Sequence, residues 1–149
     1  MAVNMDGEER IDAPIGKVWE ALNDPEILKA CIPGCESLDK KSERELAATV
    51  ALKIGPIKAR FNGEVELKNL KPPHSYTIEG EGKGGIAGFA KGGADVALKE
   101  DGDGTILSYT ARADVGGKMA QLGSRLIQST SKKLAAQFFA DFNKKVSGD

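Results

Sequence analysis

The chain is poor in the side chains that carry most enzyme chemistry. It has one histidine, His74, and two cysteines, Cys31 and Cys35. His74 follows Pro72-Pro73 in a turn, where a solvated side chain is expected. Two cysteines make no disulfide framework. Their C-x3-C spacing is not the C-x2-C of redox and zinc motifs, and with one histidine a zinc site has few ligands to draw on. Buried free thiols are expected, with no metal and no cofactor. Gly82, Gly84, Gly85 and Gly88 loosely resemble a phosphate-binding loop, but no Lys-Ser/Thr follows them. No motif specifies a Ser-His-Asp triad. Charge of one sign is also lacking: the net charge is −1 and the sequence pI about 5.9, which argues against a nucleic-acid partner. No apolar run approaches the roughly 20 residues of a membrane span. Met1 to Glu9 lacks the regions of a signal peptide, so a cytoplasmic protein is expected. Aromatics are scarce at 5%, whereas glycine is plentiful at 18 residues.

What the chain does contain is one long amphipathic stretch. From Gly117 to Val146, the residues Met119, Leu122, Leu126, Thr130, Leu134, Phe138 and Phe142 step mostly by four. This spacing predicts a helix with one apolar stripe. Gly116-Gly117 breaks the strand before it, and Ser147-Gly148 ends it. Thirty residues would span roughly 45 Å, and such a helix needs a surface to lie on.

That surface is predicted from the preceding segments. Met5–Ile11 reads as a strand. Asp12 is expected to cap a helix over Ile15–Leu22, with Pro14 at an early helical position. Asn23-Asp24-Pro25 caps a second short helix, Glu26–Ala30. Strands follow over Ser37–Lys41, Glu45–Ile54, Ile57–Leu67, Ser75–Gly82, Ile86–Lys99 and Thr105–Val115. Ile57–Leu67 alternates most cleanly, with Phe61, Val65 and Leu67 on one side and lysine and glutamate on the other. Short turns imply an antiparallel meander. The expectation is one α+β domain over 1–149, a curved sheet of about six to seven strands wrapped around a long C-terminal helix.

The inner face is small and uncharged in these strands. Ala48, Ala59, Gly63, Gly80, Gly82, Gly88, Ala90, Gly92, Ala94, Ala111 and Ala113 all fall on it. Small residues bring the helix close, permit strand bends, or leave a space suited to an apolar guest.

Several stretches resemble a known family. They are Ile11-Asp12-Ala13-Pro14 with Val18-Trp19, Asp24-Pro25, Cys31-Ile32-Pro33-Gly34-Cys35, and Gly55-Pro56-Ile57-Lys58-Ala59-Arg60-Phe61 with Gly63. The glycine-rich run Gly80 to Ala94 and the segment Gly116 to Arg125 complete the match. Element order resembles the helix-grip fold of the START-like (SRPBCC) superfamily. Over nearly the whole chain the segments resemble the CoxG family, the G subunit of carbon monoxide dehydrogenase systems. The resemblance implies a non-catalytic accessory protein of an aerobic CO dehydrogenase or related molybdenum hydroxylase. Such a protein would hold a lipid- or quinone-like molecule and help couple the enzyme to the membrane. Many members carry a tail beyond the domain. A chain ending at Asp149 is expected to make transient membrane contact, peripheral at the inner face.

For the ligand-binding walls, Leu28, Ile32 and Pro33 are expected as a lid. Phe61, Ile86 and Tyr109 are expected on the sheet side, and Met119, Leu122, Gly123, Leu126 and Ile127 on the helix side, with Gly123 as a notch. Alternation puts Phe89 on the outer face, and a glycine bulge is expected to turn it inward. Phe138, Phe139 and Phe142 are expected in the core at the closed end. No catalytic residue is expected. A START-like cyclase or hydrolase remains an alternative, with Tyr76, Tyr109 and Thr130 as its inward polar groups. So does an assembly factor with an incidental cavity.

Overall fold

The computed structural model describes residues 1–147. Seven strands, β1 (Ala2–Ile11), β2 (Cys35–Lys40), β3 (Glu45–Ile54), β4 (Ile57–Lys71), β5 (Ser75–Lys83), β6 (Phe89–Asp101) and β7 (Gly104–Gly116), form one antiparallel sheet. Its order is β1-β7-β6-β5-β4-β3-β2. Strands β2 to β7 are the expected meander, and β1 closes onto β7 with Gly7 opposite Tyr109. Between β1 and β2 lie the short helices α1 (Ile15–Leu22) and α2 (Pro25–Cys31), and the chain ends in α3 (Ser124–Ser147).

Local chemistry sets most of these boundaries. The Asp24 carboxylate accepts a hydrogen bond from the Glu26 amide at 2.9 Å and so caps α2, with Pro25 in its first turn. Asp12 does not cap α1. Pro14 occupies that position with no side-chain cap, because the Asp12 carboxylate is drawn to Arg10 while its amide donates to Asn143 Oδ1 at 3.0 Å.

The C-terminal helix is shorter than its apolar stripe. Gly117–Leu122 is a 3-10 turn, and Gly123 at φ +92° separates it from α3. The 24 residues of α3 span about 36 Å. Gly148 lies outside the described residues. The stripe continues across the break because a 3-10 turn also stacks residues three apart, so Met119 and Leu122 keep the same side. A second difference falls before β6: Gly85–Ala87 is a 3-10 turn rather than strand.

The tightest packing lies at one end. Phe142, Ile11, Leu107, Val18 and Val146 are almost inaccessible there. Buried Thr105 donates its hydroxyl to the Ala13 carbonyl at 2.8 Å, tying β7 to the start of α1.

The small inner-face residues divide by role. At Gly92 a Cβ would stand 2.0 Å from the Arg112 carbonyl oxygen, and at Gly80 it would meet Val65 at 2.5 Å. These two glycines are cross-strand partners and let the sheet bend. Ala48, Gly63 and Ala94 instead border empty space.

Candidate functional site: an apolar cavity between sheet and helix

Between the concave face of the sheet and α3 lies a cavity of about 430 Å³. Leu28 of α2 and Ile32 just beyond its end close one side. Leu38, Leu46, Ala48 and Val65 line it from β2, β3 and β4, and Ile78, Ala94, Val96 and Leu107 from the strands beyond. Phe138 and Phe139 of α3 form the opposite wall. No lining side chain is charged. The pattern follows from strand alternation: each sheet contributor lies at a period-2 inward position.

Two tyrosines supply the polar atoms. Tyr109 stacks on Phe139 with ring centroids 5.4 Å apart and an interplanar angle of 21°. Its ring crosses β1 at Gly7, where a Cβ would stand 2.7 Å from the hydroxyl. Tyr76 is buried and meets Trp19 edge to face, centroids 5.4 Å apart. Burial pushes both phenols above their ordinary value, and Glu9 and Asp6 add to the effect at Tyr109.

A second, smaller space of about 310 Å³ continues along the same face. Val50 borders both. Leu52, Ile54, Phe61, Met119, Ile127 and Leu134 line it, with Thr130 and Ser131. Ser131 donates to the Ile127 carbonyl at 2.8 Å within the helix.

The structure separates the residues expected to share one site. Leu28, Ile32 and Tyr109 line the larger cavity, and Phe61, Met119 and Ile127 the smaller. Pro33 faces an outer depression between α2 and α3 with Lys29 and Asp141. Leu122 and Leu126 point toward Gly55 at the β3–β4 turn. Gly123 has no atom within 4 Å of its would-be Cβ and bends the chain instead of notching the wall.

Ile86 is 87% exposed, because the turn at Gly85 (φ +61°) rotates Ala87 inward in its place. Phe89 stays on the outer face at 40% exposure, its ring covering Gly116 across the strand pair. Gly88 turns the chain at φ +118° without bringing that ring inward.

Phe138 and Phe139, expected as closed-end core, are cavity wall. Their helical spacing placed them on the right face but not at the level where sheet and helix part. Cys31 is buried and Cys35 half-buried, both free thiols with pKa raised chiefly by burial. Among the described residues no helix is long and apolar enough to cross a membrane.

This architecture has solved counterparts. A conserved protein from Geobacillus kaustophilus superposes with a TM-score of 0.91 at 32% identity, over 97% of this chain and 95% of that one. The Zhui aromatase/cyclase from Streptomyces sp. R1128 has a TM-score of 0.70 at 10% identity, covering 98% and 94%. Ara h 8.0201 has a TM-score of 0.69 at 14% identity over the full length of both. The last two share the START-like, helix-grip fold with this chain. No curated protein sequence matches it. The family model for CoxG, the G subunit of carbon monoxide dehydrogenase, matches residues 7–147, and the chain belongs to that family.

Proposed function

We propose that this protein is a non-catalytic carrier of an apolar, lipid- or quinone-like molecule. It serves as an accessory subunit of an aerobic CO dehydrogenase or related molybdenum hydroxylase in the cytoplasm, and couples that enzyme to the membrane through transient contact. Family membership supports the accessory role. The observation that carries the binding reading is the uncharged cavity of about 430 Å³. An apolar wall offers water few partners, so occupation by an apolar guest is the economical solution. Tyr109 and Phe139, stacked on one another, both line the cavity and add aromatic contacts for a ring.

The two wall phenols bear on the alternative of a general-base mechanism. Burial raises both above their ordinary value, which disfavours either as a general base near neutral pH.

The test is calorimetric titration of the purified protein with a short-tailed quinone, alongside native mass spectrometry of protein isolated without detergent. Saturable one-to-one binding or a co-purifying apolar molecule is expected. Absence of both would sink the carrier reading.

A further inference from the structure

The loops at the end of the sheet where α3 begins share an unusual surface. Segments 53–62, 83–91 and 116–126 come together there. A Cβ at Gly84 would touch the Phe61 ring at 2.4 Å, one at Gly117 would touch Gly88 at 2.4 Å, and one at Gly55 would touch Leu126 at 2.9 Å. The three segments carry Lys53, Lys58, Arg60, Lys83, Lys91, Lys118 and Arg125, and no aspartate or glutamate. The chain as a whole is −1, so this end is cationic against an acidic remainder. Arg60 is paired with Glu36, Lys83 lies 3.9 Å from Glu81, and Lys91 stands opposite Glu81 and Asp114 in the sheet. Among the described residues Lys53, Lys58, Lys118 and Arg125 make no ion pair. From the same end projects Ile86, 87% exposed on a glycine-flanked turn, with Phe89 beside it.

We infer that this end docks on an anionic phospholipid bilayer, with Ile86 and Phe89 entering the interfacial layer and the lysines meeting lipid phosphates. Charge complementarity favours lipid over a protein partner. Lysine is depleted at protein–protein interfaces, whereas lysine clusters around an apolar anchor are what an anionic leaflet attracts. Their aliphatic stems can lie along the interface while the ammonium groups stay hydrated. The inference deepens the proposed membrane contact by naming its surface and its lipid, and rests on that reading. Phe61 and Met119 belong to these segments and line the smaller cavity, so docking would bring that cavity's edge against the membrane.

The experiment is flotation of the whole chain with vesicles of phosphatidylcholine plus phosphatidylglycerol, compared with phosphatidylcholine alone, at low and high salt. Binding only to the anionic vesicles, weakened by salt, is expected. Lys58→Gln and Lys118→Gln should each reduce it about fivefold, and Ile86→Ser roughly tenfold. Lys71→Gln and Lys99→Gln, at the other end of the sheet, should leave it unchanged. Quinone binding in vesicle-free solution, followed in the same variants, should be untouched, so loss of guest binding and loss of docking are read separately. Wild-type protein that ignores anionic vesicles overturns the inference. So do Ile86 and Lys variants that float like wild type. If the same substitutions instead release a protein partner in the absence of lipid, the surface is a protein interface and the inference falls.

Discussion

Trp19 meets Tyr76 edge to face, ring centroids 5.4 Å apart at 88°, and Tyr76 is itself cavity wall. The chain's one tryptophan therefore stands a single ring away from a bound guest. A short-tailed quinone entering the larger cavity should quench Trp19 fluorescence saturably. Quenching that rises linearly with quinone, without a plateau, would indicate collisional encounters and count against a bound guest.

Filling the cavity should separate binding from stability. Ala48 and Ala94 border the empty space, so Ala48→Leu or Ala94→Leu places new methyl groups where the guest would sit. Quinone affinity should fall at least tenfold, while the urea midpoint stays level or rises, since a void is being filled. Gly123→Leu should do the reverse. Gly123 adopts φ +92° at the entry to α3 and lines neither cavity. The substitution should cost about 1–3 kcal/mol in backbone strain and leave quinone affinity unchanged. Equal effects of the two kinds of substitution on affinity would undo this division.

Removing the closed end should cost far more. Phe142 is inaccessible and stacks on Phe138 with centroids 5.6 Å apart. Phe142→Ala should lower stability by about 3–5 kcal/mol in chemical denaturation. A loss below about 1 kcal/mol would mean that this end is not the tightly packed part of the core.

Much of this arrangement is legible in the residues, and the remainder is not for specific reasons. Alternation along Ile57–Leu67 assigns Val65 and Leu67 to the inner face, and the stripe from Thr130 to Phe142 assigns the helix face. Periodicity says which way a side chain points. It does not say how far the opposing layer stands from it, so Leu46 and Phe138 look the same whether they touch a neighbour or a void. The break at Gly123 is masked because α-helical and 3-10 spacing both place Met119 and Leu122 with Leu126. Ile86 is the most apolar residue of its segment, and apolarity alone predicts it inside. The left-handed turn at Gly85 decides otherwise, and only backbone geometry reveals that Ala87 fills the position.

Alkaline pH gives a test that depends on Tyr76 itself. Burial raises its phenol above the ordinary value of 10.0, because the low-dielectric surroundings disfavour phenolate. In the unfolded chain the phenol ionises near its ordinary value, so the unfolded state loses this proton first. The neutral buried phenol contributes its full stability below about pH 10, and that contribution is lost as pH rises from there toward the folded-state value. Urea midpoints measured from about pH 8 to 11 should therefore fall at the alkaline end. Lysines also titrate in that range, so the informative quantity is the difference from Tyr76→Phe. The variant has no phenol to ionise and should lose less stability over the same interval. Tyrosinate absorbance of the folded wild type should also rise later than that of the urea-unfolded chain. Parallel loss of stability in wild type and Tyr76→Phe, or coincident absorbance curves, would mean that Tyr76 is solvated, and the cavity wall would have to be redrawn with water against it.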